Sequence, residues 1–443
     1  MKNYMELTQA AETEQSRRKF IKNTGTGIIA ATVIGSIVSG PEAHGQKLPV
    51  SSNDPMDETK PVTFTPIEHP TENPKPAVPS PMRPSKRIGY AIVGLGRLSL
   101  NQILPALVKC KKSIPVALVS GDKEKAKKVA IQYGINEKNI YNYQNFDDIK
   151  NNPDIDVVYI VLPNSMHEEF TIRTAKAGKH VLCEKPMATS SASAQRMIDA
   201  CKKANVKLMI AYRIQYEPNN KKVKEWVRSQ KFGKARIINS FNGQNSGDPN
   251  HWRLKKALAG GGSLPDIGLY CLNTTRYLLG EEPETIIATT YSTPGDERFK
   301  EVEESVMFQM IFPSGTISTN TCSYGIHTSR YYKCHADKGG TFGVMNAYAY
   351  GGLQLEESHV EDKMEYKSMP STDSEKDQFA LEMDHMSDCV LNNKIPYTPG
   401  EEGLQDQKIM EAIYEAARTN KPVKMPKVDK LDAFRGSEPT PSE

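Results

Sequence analysis

From residue 87 onward, short apolar runs alternate with longer amphipathic stretches. Residues 88–93 are apolar almost throughout and predict a strand; 98–110 predict a helix, 115–119 a second strand and 124–133 a second helix. Further strands are expected at 157–162, 180–183 and 207–211, with helices at 167–177 and 192–204 between them. Strands separated by helices of about ten or more residues predict βαβ units and a parallel sheet. Their apolar rather than alternating character fits a sheet covered on both faces.

The rhythm changes after Arg213. Helices at 218–227 and 266–279 precede alternating stretches at 285–291, 304–312, 316–324 and 331–335, which predict an antiparallel sheet. Helices at 378–391 and 401–417 are expected to close this second domain. The expected fold class is α/β. An N-terminal Rossmann dinucleotide-binding domain spans 87–212, and an α+β substrate and oligomerisation domain with a large, mainly antiparallel open sheet spans 213–428. A polar tail, 429–443, is expected to fray.

Two segments precede the folded part. Residues 46–86 carry ten prolines between Pro49 and Pro84, which predicts an extended, polyproline-like stretch. By its residues it reads equally as a linker or as an arm laid across a neighbouring subunit. Within residues 1–45, Ser16-Arg17-Arg18-Lys19-Phe20-Ile21-Lys22 comes before a mildly apolar stretch, 25–38, that is too short and too rich in Gly and Thr for a membrane span. A basic region, a modest apolar region and small residues describe an export signal, and Arg17-Arg18 resembles the twin-arginine type. Ala43-His44-Gly45 and Val38-Ser39-Gly40 are both candidate cleavage points. A periplasmic protein is expected, with no stable membrane insertion after signal removal.

Composition narrows the partners. With 38% hydrophobic and 25% charged residues the 443-residue chain is an ordinary globular protein, long enough for two domains. Its net charge is +4, and several of the cations lie in the first 22 residues, so no dense basic stripe remains to bind nucleic acid. Seven cysteines without a CxxC pair make no disulfide framework and suggest no metal site. Free thiols suit a chain that folds in a reducing compartment before export.

Gly94-Leu95-Gly96 follows the first strand and opens a helix, the context of a dinucleotide turn. The first glycine permits the tight turn, and the second lets backbone N–H groups approach a pyrophosphate at the helix N-terminus. Ser99 stands where Gly or Ala is usual. At the tip of the second strand, Ser120 occupies the place of the carboxylate that usually holds the ribose 2′-hydroxyl, with Lys125 and Arg97 nearby. A hydroxyl and two cations favour a 2′-phosphate, hence NADP over NAD. Asp122 dissents, unless it caps the next helix.

The chemistry is expected where Glu184-Lys185-Pro186 ends a parallel strand. Proline keeps Lys185 out of helix and presents it from a stiff bend. Asp266 and Tyr270, just after Gly260-Gly261-Gly262, are four apart and share one helix face. A phenol ordinarily keeps its proton to about pH 10. A lysine ammonium within about 4 Å is worth roughly 4 kcal/mol to an adjacent anion and brings a phenol into working range. Lys185, Asp266 and Tyr270 are therefore the expected catalytic set, with Asp266 orienting a sugar hydroxyl.

Ala91-Ile92-Val93-Gly94-Leu95-Gly96, Leu162-Pro163-Asn164-Ser165-Met166-His167 and Cys183-Glu184-Lys185-Pro186 resemble the Gfo/Idh/MocA oxidoreductases. Trp252-Arg253 and the stretch from Gly260 to Tyr270 are similar to the glucose–fructose oxidoreductase branch, which carries tyrosine where most members carry histidine at the position of Tyr270. The resemblance implies tightly held NADP and cofactor contacts at Gly94, Leu95, Gly96, Arg97 and Leu98. It extends them to Ser120, Lys125, Pro163, Asn164 and His167, and to Glu184, Lys185 and Arg213. It further implies substrate contacts at Tyr216, Trp252 and Arg253, and a homo-oligomer, dimer or tetramer, whose N-terminal arms are exchanged.

NADP is not supplied outside the cytoplasm, so an exported enzyme must retain it and alternate two sugars in ping-pong fashion. The expected reaction oxidises a glucose-like aldose to its lactone and reduces fructose or another aldose. Pro265, Ile214 and Gln215 depart from the branch pattern and leave the sugars open. Two other readings stand beside it: a nicotinamide-dependent exported glycoside hydrolase of the same family, against which Tyr270 argues, and a sugar-binding sensor without turnover.

Overall fold

The computed structural model describes residues 87–372 and 377–439. The expected export signal and Pro-rich arm lie outside the described residues. β1 (Ile88–Val93) is buried at every position and runs into the glycine turn. A wider, π-type turn (Ser99–Ile103) then leads into α1 (Leu104–Lys109). β2 (Ser113–Val119), α2 (Lys123–Gln132), β3 (Ile140–Tyr141) and β4 (Val157–Ile160) follow. α3 (His167–Lys176), β5 (His180–Glu184), α4 (Ser191–Lys203) and β6 (Leu208–Ala211) complete the first domain. Its six strands are all parallel, in the order β3-β2-β1-β4-β5-β6. This is the doubly wound dinucleotide-binding order, which places ligands at the strands' carboxyl ends.

α5 (Pro218–Arg228) opens the second domain, followed by β7 (Ala235–Asn245) and the short α6 (Lys256–Ala259). A second π-type turn (Leu264–Gly268) carries Asp266 into α7 (Leu269–Leu279). The sheet is built from β8 (Thr285–Tyr291), β9 (Ser305–Ile311), β10 (Ile317–Ser323), β11 (Gly325–Ala336), β12 (Gly340–Met345), β13 (Gln354–Glu361) and β14 (Met364–Ser368). α8 (Gln378–Leu391), α9 (Gly400–Thr419) and β15 (Val423–Lys424) end the chain's regular structure. Nine strands pair in the order β14-β13-β12-β11-β7-β10-β9-β8-β15; only β7 and β10 run parallel.

Two expectations about this half are corrected. α8 does not close the second domain. It packs on the first, where the Tyr90 hydroxyl on β1 donates to the Met383 carbonyl at 2.8 Å, and Ser113 and the Lys112 amide donate to Asp384. The tail is anchored as far as it is described: the Arg435 side chain is fully buried and pairs with Glu402 at 2.7 Å and Asp432 at 2.9 Å. Beside it, buried Arg276 on α7 pairs with Glu282 at 2.8 Å, with Glu402 at 3.0 Å and with Asp406. A buried guanidinium is tolerable only with such partners, so the cluster ties α7, α9 and the tail together.

Candidate active site

The glycine turn is shaped by close approach. Gly94 has φ +93°, and a Cβ there would meet the Val161 carbonyl at 2.3 Å; at Gly96 the corresponding space is open. Ser99 donates to the Gly94 carbonyl at 2.5 Å, so the serine locks the turn as well as fitting it. Leu95 is buried in the core and Leu98 is half-buried, which leaves the backbone and the exposed Arg97 facing outward. Asp122 caps α2, accepting from the Lys125 amide at 2.9 Å, while the Ser120 hydroxyl accepts from the Asp122 amide at 3.1 Å. The dissenting Asp122 is thus a helix cap. The open space over Gly96 and the Ser120, Lys125 and Arg97 set fit a dinucleotide carrying a 2′-phosphate.

Lys185 leaves the end of β5, joined to Pro186 by a cis peptide. Its ammonium donates to the Asp266 carbonyl at 2.7 Å and to Oδ1 of Asp266 at 3.3 Å. The other carboxylate oxygen of Asp266 accepts from the Tyr324 hydroxyl at 2.7 Å and lies 3.1 Å from Arg253 Nε. That last contact is an ion pair whose N–H is not aligned for a hydrogen bond. Burial alone would raise the Asp266 carboxyl; the charges of Arg253 and Lys185 and the Tyr324 hydroxyl outweigh it and hold the group well below the usual carboxylate range.

The Asp266 turn is itself held from below. Glu303 accepts from the amides of Gly262 at 2.9 Å and Leu264 at 3.0 Å, and from the Tyr414 hydroxyl at 3.0 Å. A Cβ on Gly262 would meet the Glu303 carbonyl at 2.0 Å, which is why glycine is required there.

The cation on the Tyr270 hydroxyl is not the one expected. Lys185 lies over the ring face, 4.5 Å from its centroid, and serves Asp266. Arg213 donates to the Tyr270 hydroxyl at 3.1 Å from the same nitrogen that reaches the Tyr348 carbonyl at 2.7 Å. Its other terminal nitrogen donates to the Ala349 carbonyl at 3.0 Å and to Gln378 Oε1 at 2.6 Å. Arg213 therefore stands beside the phenol, a role the sequence expectation had given to Lys185.

Residues 88–212 match the NAD-binding Rossmann fold of the Gfo/Idh/MocA oxidoreductases, and residues 224–425 match the C-terminal α/β domain of the same family. The chain belongs to the Gfo/Idh/MocA oxidoreductase family. A D-xylose 1-dehydrogenase [NADP(+)] from Haloarcula marismortui is 31% identical over 344 residues, covering 76% of this chain and 93% of that protein. A 1,5-anhydro-D-fructose reductase from Ensifer adhaerens is 25% identical over 340 residues, covering 74% and 96%. Among solved structures, aldose-aldose oxidoreductase from Caulobacter crescentus, complexed with glycerol, is 42% identical with a TM-score of 0.73, covering 76% of this chain and all of that one.

Against this Gfo/Idh/MocA frame, several expected contacts move. Tyr216 is buried away from the site, its hydroxyl 3.1 Å from that of Thr398 and its ring against His385 and Tyr397; it is a core residue. His167 is fully enclosed, with its ring nitrogens 2.9 Å from the carbonyls of Pro186 and Leu162, so it braces the Lys185 turn from behind. Burial disfavours its charge, so in the neutral ring only one of those contacts carries a proton. Asn164 gives its amide to the Ala259 carbonyl at 2.8 Å, a tie between the two domains next to Pro163. The Glu184 side chain turns inward and accepts from Tyr159 at 2.8 Å.

Trp252 and Arg253 do reach the site. The guanidinium of Arg253 sits 4.5 Å from the Trp252 ring centroid while it pairs with Asp266. Burial and the Arg253 charge, with a smaller effect from Arg97 of the glycine turn, disfavour the cation of neighbouring His251. Sequence reasoning missed Tyr324, Glu303, Tyr348 and Gln378. None carries a local motif; only their partners reveal them.

Proposed function

We propose that this protein is a periplasmic sugar oxidoreductase with retained NADP, which oxidises a glucose-like aldose to its lactone and reduces a second sugar, fructose or another aldose, in ping-pong fashion. The observation that carries the reading is the convergence of Lys185, Asp266 and Tyr270 on the carboxyl edge of a parallel sheet, with Arg213 on the phenol oxygen. The turn at Gly94–Gly96 would hold NADP, which would supply the hydride acceptor and, once reduced, the donor. Asp266, kept ionised by its three partners, accepts a hydrogen bond from a sugar hydroxyl and orients it. Tyr270 exchanges the proton of the reacting oxygen, and Arg213 and Lys185 offset negative charge that develops there. The NADP named for the Haloarcula relative and the paired aldoses named for the Caulobacter protein agree with this assignment.

Export by the twin-arginine route is supported by Ser16 to Lys22 and by seven cysteines that are all free and buried. A homo-oligomer is supported by exposed Ile237, Ile287, Met307 and Ile317 on the outer face of the large sheet, where a second copy of this chain would dock; exchange of the N-terminal arms belongs to the same proposal. The test is an absorbance measurement on protein purified without added nucleotide. Glucose should raise the near-ultraviolet band of reduced nicotinamide and fructose should erase it. Protein that holds no dinucleotide, or release of aglycone from nitrophenyl glycosides in place of this cycle, would overturn the reading.

A further inference from the structure

Behind the Lys185 turn, two buried carboxylates face a single hydroxyl. Tyr159 on β4 donates to Glu184 Oε1 at 2.8 Å, and its oxygen lies 3.4 Å from Oε2 of Glu382 on α8. A phenol has one proton and cannot serve both carboxylates. Glu382 is fully buried, and its Oε1 has no hydrogen-bond partner among the described residues. One turn earlier on the same helix face, Gln378 accepts from Arg213.

The surroundings of the two acids differ. Burial raises the Glu184 carboxyl too, but the Lys185 ammonium, the Tyr159 hydroxyl, the Arg213 charge and the Lys185 backbone amide all favour its anion. Glu382 is opposed first by burial and then by the Glu184 charge, with Arg213 as its one nearby cation. The other titratable groups packed against this pair include Tyr90 on β1, whose proton goes to the Met383 carbonyl, Tyr216, which is engaged with Thr398, and the buried Cys183 thiol, which burial keeps protonated and which donates to the Glu184 carbonyl. We propose that Glu382 is a positioning residue that stays protonated in the native protein, donates to Tyr159, and leaves the single negative charge of the pair on Glu184. The chain of donors then runs one way, from Glu382 to Tyr159 to Glu184, and every proton has an acceptor. A second charge on Glu382 would compete with Tyr270 for Arg213. The consequence for catalysis rests on the sugar oxidoreductase reading; the proton inventory does not.

The test is infrared spectroscopy of the full-length holoprotein at neutral pH, as difference spectra between wild type and variants. E382Q should remove one protonated-carboxyl band that is sensitive to deuterium exchange, and E184Q should leave that band in place. Asp406, whose carboxyl burial pushes up to about 7, cancels in the difference. No such band, or its loss in E184Q instead, overturns the proposal. Kinetics add a second arm: E382A should lower kcat about tenfold and E382Q should restore most of it, because the amide still donates. An E382Q as damaged as E382A overturns it. Should neither accumulate folded, Y159F must shift the band by removing its acceptor, and an unshifted band is fatal. The infrared arm needs no turnover, so it separates a failure here from a failure of the sugar reading.

Discussion

Replacing Arg213 by lysine tests which cation serves the phenol. The wild-type guanidinium reaches four acceptors from a buried position: Tyr270 at 3.1 Å, Tyr348 at 2.7 Å, Ala349 at 3.0 Å and Gln378 at 2.6 Å. Lysine keeps the charge but offers one nitrogen and no planar fork, and the carbonyls compete for it. A hydrogen bond from a charged donor contributes about 1.5–3 kcal/mol, so loss of the Tyr270 contact predicts a fall in the hydride-transfer rate of about 10- to 150-fold. A buried carbonyl left without a donor costs about 1–3 kcal/mol of stability, which predicts a lower Tm. The assay is rapid mixing of holoprotein with aldose, followed at the reduced-nicotinamide band, with thermal unfolding measured in parallel. Folded R213K reacting within about twofold of wild type would refute the reasoning, because Tyr270 would then need no donor from this arginine.

Y324F removes one donor from Asp266 and should lower kcat/KM about tenfold in steady-state assays. Because that donor helps hold the Asp266 carboxyl low, its loss must move the acid edge of activity to higher pH; an unmoved edge would contradict the assignment. In the wild type the stabilising ionisation of Asp266 is present above the usual carboxylate range and is lost only in strong acid, so unfolding between about pH 5 and 8 should not report it. S120D places a carboxylate where the 2′-phosphate is expected and should shift the NADP-to-NAD affinity ratio by about 100-fold or more in nucleotide titrations; an unchanged ratio removes Ser120 from the site. G262A pushes a methyl into the Glu303 backbone and should cost about 1–3 kcal/mol, read as a lower Tm, with wild-type stability as the contrary result.

The elements that were legible are those whose pattern is local. β1 and α8 fall at the expected bounds because a short apolar run and a capped helical period are complete within their own residues. β7 was not legible. Its interior holds Asn239, Ser240 and Asn242, which break the apolar signal and whose side chains meet Thr319, Tyr348 and the Ile267 carbonyl only in the folded protein. The β13–β14 hairpin was missed for a related reason: its turn puts Asp362 and Lys363 at φ 50° and 64° without the glycine that normally marks such a turn.

By itself the sequence determined the parallel domain, the glycine turn and the Lys185 bend, since each depends on spacing within a few residues; the helix expected from 266 begins only at Leu269, with Asp266 in the π-type turn before it. Tertiary structure alone decided that Arg213 serves Tyr270 from 57 positions away, that Tyr324 serves Asp266 from 58, and that α8 backs the first domain rather than closing the second. Periodicity is carried by a contiguous segment. The pairing of a buried charge is chosen among every donor and acceptor that packing brings within reach, and no local pattern records that choice.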